Sequence, residues 1–124
     1  MRPRILLVED APDIREVFTL LLETHGAEVF ATGSGREAAD VAAREDFDVV
    51  VTDLGLPDIP GELVIGQIRR NARRRPRIVV VTGYDEPFTT QARAAGADRV
   101  LTKPVFWPAL LDELSLPEPD SVAA

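Results

Sequence analysis

The sequence contains no cysteine. That excludes disulfides and cysteine-based zinc sites, and it makes a cytoplasmic location the expectation. No apolar run approaches the roughly 18 residues that a membrane span needs, so no membrane insertion is expected. The run after Met1-Arg2-Pro3-Arg4 falls short of the roughly 7–15 apolar residues of a signal-peptide core. A GxxxxGK nucleotide loop is absent, as are internal repeats, low-complexity blocks and any sign of a second domain. Lysine is nearly absent: of 14 basic residues only Lys103 is not arginine. A lone lysine in an arginine-rich chain suggests a position that needs a compact ammonium on a flexible stem, which a planar guanidinium does not imitate. Excess positive charge is lacking as well. The net charge of −7 disfavours nonspecific attraction to nucleic acid or anionic membrane, and no direct nucleic-acid binding is expected.

What is present fits one domain with a core: 124 residues, 45% of them hydrophobic. Arg4 to Val8 is a short continuous apolar run, as in a strand buried on both faces. Pro12 suits a first helical turn. Ile14, Val17, Phe18, Leu21 and Leu22 then recur at the spacing of one helix face, and His25-Gly26 marks its end. Ala27 to Ala31 reads as a second strand, and Ser34 as the cap of a helix over Gly35 to Arg44. Asp48 to Thr52 is the third strand and Glu62 to Asn71 the next helix. Arg77 to Val81 is the fourth strand, followed by a helix over Glu86 to Ala95. Arg99 to Leu101 is the fifth strand and Pro108 to Leu114 the last helix. This alternation predicts an α/β fold, a doubly wound, five-stranded parallel sheet of flavodoxin-like order 2-1-3-4-5 with five helices.

In such a fold ligands sit outside the carboxyl ends of the strands. Strand one delivers Glu9 and Asp10 there, strand three Asp53, strand four Thr82 and strand five Lys103. Three neighbouring carboxylates repel one another unless a cation is present, and a hard divalent ion such as Mg²⁺ relieves this through oxygen ligands. The three acids, a divalent ion and Lys103 sum to no formal charge, so a phosphoryl group can approach. A carboxylate is a competent nucleophile toward phosphorus. The metal and Lys103 would stabilise charge on the transferring oxygens, and the Thr82 hydroxyl could donate to one of them.

Four stretches carry a resemblance: L-L-V-E-D near the start, V-V-V-T-D-L-G-L-P-D-I-P-G in the middle, V-V-V-T-G-Y later, and G-A-D-R-V-L-T-K-P near the end. In that order, each at a strand end, they resemble the receiver domain of bacterial response regulators, from about residue 4 to 114. The resemblance implies a receiver domain over residues 1–115, and the two prolines of residues 116–124 suggest a flexible tail. It implies that Asp53 is the phospho-acceptor and that Glu9 and Asp10 form an acidic Mg²⁺ pocket. Asp10, Asp53 and the main-chain carbonyl of Gly55 would be the metal ligands, Thr82 the switch hydroxyl and Lys103 the phosphate-binding lysine. The implied donor is a histidine kinase or a histidine phosphotransfer protein. A signalling domain rather than an enzyme is expected, with slow self-dephosphorylation. With no output domain in these residues, the expected output is protein contact, or service as a phosphorelay intermediate or sink. The initial Met and the tail suggest a product that ends at Ala124.

The chain also departs from the family pattern. Val100 stands where the family usually has Tyr or Phe, three residues before the lysine. Gly55 and Tyr84 stand where the family tunes dephosphorylation, and Tyr84 is expected to shield the acyl phosphate from water. Downstream contact is expected on the strand 4–helix 4–strand 5–helix 5 face around Val100 and Trp107, and homodimerisation stays open. Trp107 has two readings, a hydrophobic staple or core filler and an exposed anchor. His25 reads as a complement to a helix C-terminus, with a phosphoryl carrier as the other reading. The arginine run from Arg69 to Arg77 reads as a solvated cap on the edge opposite the site, with an acidic partner or nucleic acid as the other reading. The alternative activity is a haloacid-dehalogenase-like phosphohydrolase with Asp53 as nucleophile, although Gly55 stands where that class carries its second Asp. A flavodoxin-like cofactor binder is disfavoured, because the acidic first loop faces where a flavin phosphate would need donors.

Overall fold

The structure, a computed structural model, describes residues 2–114. The elements alternate throughout: β1 (Arg4–Val8), α1 (Pro12–Thr24), β2 (Glu28–Thr32), α2 (Gly35–Arg44), β3 (Val49–Thr52), α3 (Gly61–Asn71), β4 (Arg77–Thr82), α4 (Phe88–Ala95), β5 (Arg99–Thr102) and α5 (Trp107–Leu114). All strand pairs are parallel, in the order β2-β1-β3-β4-β5. The expected fold is therefore the observed one, with element ends moved by one or two residues. The expected flexible tail lies outside the described residues.

Period-two alternation divides the strand side chains between two cores. Leu6, Val8, Val50, Ile78 and Val80 face α2, α3 and α4, where Val41, Val64, Ile65, Ile68 and Ala92 meet them. Ile5, Leu7, Val51, Val79 and Val81 face the other way, against Leu22 of α1 and Leu110, Leu111 and Leu114 of α5. Each such aliphatic side chain contributes about 1.5–3 kcal/mol when fully buried, which is why β-branched strands with no polar face settle at the centre of the sheet.

Two local features follow the sequence closely. The Ser34 hydroxyl accepts from the Glu37 amide and caps α2. His25 is buried, and its Nδ1 lies 2.8 Å from the Leu21 carbonyl at the end of α1, so it closes that helix. One expectation changes. The apolar stripe of α1 is only partly buried: Leu22 is covered, while Ile14 and Val17 stay exposed. The shallow seat of α1 on the sheet leaves its leading turns uncovered.

Candidate functional site

Register brings the five residues to one edge. Val8 is paired with Thr52, so Glu9 and Asp53 leave adjacent strands at the same level. Thr82 is paired with Thr102, so Lys103 leaves β5 beside the end of β4. Main-chain bonds extend these pairings by one residue, from Asp53 N–H to Val8 O at 3.2 Å and from Lys103 N–H to Thr82 O at 2.8 Å.

The Lys103 ammonium lies 2.8 Å from Asp53 Oδ2 and 3.4 Å from Glu9 Oε1. Burial works to lower its pKa, but the hydrogen bond and charge of Asp53, with Glu9 behind, outweigh burial and hold it above the ordinary lysine value. Asp53 Oδ1 accepts from the Leu54 amide at 2.6 Å and, at 3.4 Å, from the Gly55 amide. The Asp53 carboxylate is thus aimed by its own loop and by the lysine. Thr82 is fully buried, and its hydroxyl oxygen accepts from the Tyr84 amide at 3.1 Å, so its proton stays available to another oxygen.

Glu9 and Asp10 differ in kind. Glu9 is buried, with Oε1 toward Lys103 and Oε2 accepting from the Ala11 amide. Asp10 is exposed, and among the described residues its carboxylate makes no hydrogen bond or ion pair. Among the described residues no three His, Cys, Asp or Glu side chains gather at metal-binding spacing, and Glu9 turns toward the lysine. The oxygens left for a cation are those of Asp10, Asp53 and the Gly55 carbonyl, which accepts no hydrogen bond among the described residues. An all-oxygen set with two carboxylates suits a hard divalent ion that keeps several waters, so the residues fit Mg²⁺.

Arg15 is a neighbour that the motifs did not reveal. Its guanidinium donates to the Glu9 carbonyl at 2.8 Å and reaches the Asp10 carbonyl at 3.4 Å, bracing the acidic loop from α1. Tyr84 also closes on the site. A Cβ added at Gly55 would lie 2.8 Å from the Tyr84 hydroxyl, so the ring lies over the acceptor loop. It packs on Phe88 with ring centroids 5.3 Å apart. Beside it is an open cavity of about 390 Å³ walled by Leu54, Pro57, Glu62 and Phe88, among others.

The remaining expectations divide. Val100 and Trp107 do not share an outward face. Val100 packs into the core on the α4 side, whereas Trp107 packs on the opposite side of the sheet, against Phe18 at 5.8 Å and His25 at 6.0 Å. The exposed-anchor reading of Trp107 therefore gives way to the core-filler reading. The exposed aromatic in this segment is Phe106, 72% accessible. The arginine run is also more than a solvated cap. Arg69 is only 10% exposed and donates to the Gly96 and Pro76 carbonyls and to Asp98.

No helix among the described residues is long and apolar enough to cross a membrane. The response regulator receiver domain family matches residues 5–115. The chain is 36% identical over 105 residues to the response regulator protein PilR of Pseudomonas aeruginosa, covering 84% of this chain but only 23% of that relative. It superposes on a CheY-like response regulator receiver domain protein from Methanospirillum hungatei with a TM-score of 0.87 at 28% identity, covering 93% and 92% of the two chains. The receiver domain of the sensor histidine kinase PA1611 from Pseudomonas aeruginosa, solved with a magnesium ion in its active-site cleft, gives 0.84 at 29% identity, covering 93% and 96%. Fold, strand-end acids, lysine and relatives agree, and this chain belongs to the response regulator receiver domain family of two-component signalling.

Proposed function

We propose that this receiver accepts a phosphoryl group on Asp53 from a phosphohistidine of a histidine kinase or histidine phosphotransfer protein. The observation that carries the reading is the Asp53–Lys103 contact at 2.8 Å, with Glu9 as second carboxylate on the same ammonium. An Asp53 oxygen attacks phosphorus, the P–N bond breaks, and its electron pair returns to the donor imidazole. Lys103 then pairs with a phosphoryl oxygen in place of Asp53, and the Thr82 proton is free to be donated to another. Asp10, Asp53 and the Gly55 carbonyl are the residues to hold Mg²⁺, and Glu9 sets the charge behind them. Bound there, the ion would neutralise charge on the transferring oxygens. Gly55 offers no second carboxyl, so the phosphohydrolase alternative lacks its acid.

Exposed Ile14 and Val17 on α1, and Phe106 after β5, offer apolar contact area to a protein partner. Output then runs through protein contact or onward phosphoryl transfer in the cytoplasm, with slow self-dephosphorylation resetting the site. Val100 makes the usual aromatic rotor unavailable as the signal.

The test is incubation with Mg²⁺ and a small phosphodonor, followed by intact mass. Wild type gains one acid-stable, base-labile phosphoryl group and Asp53→Ala gains none. Labelling that persists in Asp53→Ala would overturn the assignment.

A further inference from the structure

The loop from Asp53 to Gly61 carries both the acceptor and the Gly55 carbonyl. Its inner half is held by main-chain bonds, Leu56 N–H to Leu54 O at 3.1 Å and Gly61 N–H to Leu54 O at 3.0 Å. Its outer half contains Pro57 and Pro60, which have no amide to donate. Among the described residues, one side chain ties it down by hydrogen bonds. The Asp58 carboxylate accepts from the Ser34 hydroxyl at 2.8 Å, the Gly35 amide at 2.9 Å and the Arg36 amide at 2.9 Å. These groups are the cap and first turn of α2, more than twenty residues earlier in the chain. The positive end of that helix favours the carboxylate further.

Packing makes the same connection independently. A Cβ added at Gly35 would lie 2.6 Å from a Val64 methyl, 3.0 Å from Ile59 and 3.2 Å from Leu56. Only a glycine at the start of α2 lets Leu56 and Ile59 seat this closely. The α2 N-terminus is therefore a cradle for the acceptor loop, with hydrogen bonds on its outer side and apolar contact on its inner side. Meanwhile α3, which begins directly after the loop, has Pro60 at its cap position and no side-chain cap of its own. The loop's one free carboxylate is spent on the neighbouring helix. Its pKa is held far below the ordinary carboxylate value by the Arg36 and Gly35 amides, so the tether is charged at all working pH values.

We propose that Asp58 is a positioning residue for phosphoryl acceptance: by clamping the Asp53–Gly61 loop to the α2 N-terminus, it sets the Gly55 carbonyl where a divalent cation can use it. This rests on the proposed function above. Groups that orient metal ligands from outside typically change metal affinity by about 10–100-fold when removed. Asp58 is solvent-exposed, so the lower end of that range applies. Asp58→Ala is expected to raise the half-saturating Mg²⁺ concentration about tenfold, with the phosphorylation rate at saturating Mg²⁺ within about twofold of wild type. Asp58→Asn keeps one acceptor oxygen and should fall between. Asp40→Ala is the charge control, since Asp40 pairs with Arg44 at the far end of the same helix and should leave the Mg²⁺ dependence unchanged.

Amide hydrogen exchange in the metal-free protein supplies a readout that needs neither cation nor phosphoryl group. Asp58→Ala should speed exchange at Gly35, Arg36, Gly55 and Leu56 several-fold and leave the sheet amides of β1 and β4 as in wild type. If Asp58→Ala does not fold, the same two measurements are made on Asp58→Asn. Unchanged Mg²⁺ dependence and unchanged loop exchange would overturn the proposal, as would a uniform rise across the sheet, which would mark Asp58 as a stability residue only. Failure of wild type to take up phosphoryl would sink the proposed function, while the loop exchange would still decide whether the tether exists.

Discussion

The two edges of the sheet handle charge in opposite ways. At the edge where strands begin, arginines and acids alternate and are paired off: Arg4 with Glu45 and Glu28, Arg69 with Asp98, Arg73 with Asp46, Arg74 with Asp48, and Arg77 and Arg99 with Glu113. At the edge where strands end lie Glu9, Asp10 and Asp53, and among the described residues the ion pairs there are those of Lys103. Charge at the first edge is largely paired, and Arg69 is held by two carbonyls as well as by a carboxylate. The second is left short of positive charge. Under the proposed function, that shortage is what a divalent cation and a phosphoryl group would meet. One edge closes the fold, and the other stays chemically open.

The sharpest way to break this contrast is to damage the closed edge alone. Arg69→Ala removes a nearly covered guanidinium that donates to the Gly96 and Pro76 carbonyls and to the more exposed Asp98, and it is expected to cost about 1–3 kcal/mol in urea denaturation. The folded fraction should still accept phosphoryl at the wild-type rate; a loss of uptake would show that the edges are coupled. Between the edges, Trp107→Ala should cost about 2 kcal/mol, below the full-burial range for Trp because the residue is only partly buried. Neighbouring Phe106→Ala should change stability by less than about 0.5 kcal/mol. Equal effects would return Trp107 to the surface.

The edges should also fail at opposite ends of the pH scale. The pKa of Asp98 is pushed up by burial, but the Ile78 amide and Arg69 pull harder and hold it below its ordinary 3.8. Its contribution is present above that value and is lost as pH falls through the lowered one. Lys103 is held above its ordinary 10.5, so its contribution is complete below that value and is lost as pH rises through the raised one. Asp98→Asn should flatten the acid limb of a stability–pH curve and Lys103→Met the alkaline limb. Each change should be under about 1 kcal/mol, since both groups are partly screened by water. The smallest effect expected is on kinetics: Tyr84→Ala should shorten the acyl-phosphate half-life by a few-fold in a decay assay, and an unchanged half-life would remove its shielding role.

The alternation of apolar runs made the fold readable, because strands buried on both faces leave no ambiguity of period. The meeting of Glu9, Asp53 and Lys103 was readable too, since topology alone carries strand ends to one edge. What could not be read depends on side chains meeting across the fold. Asp58 sits in a turn-rich stretch, where an acid usually caps its own turn; its actual partners, Ser34 to Arg36, become visible only once α2 lies against the loop. Arg69 belongs to a run that resembles a solvated charge cluster, and its burial follows from α4 and β5 closing over it. Trp107 was ambiguous because β5 and the turn after it offer two faces, and only the position of α1 chooses between them.

Lys103 is the only lysine in the sequence, and its amine is occupied by the Asp53 carboxylate. A reagent that acylates side-chain amines therefore has a single target, and that target is part of the site. Whatever displaces or tightens the Asp53 contact changes the nucleophilicity of one nitrogen. The protein thus carries its own chemical reporter: the acylation yield at Lys103, resolved from that of the N-terminal amine by peptide mapping, follows the state of the Asp53 contact.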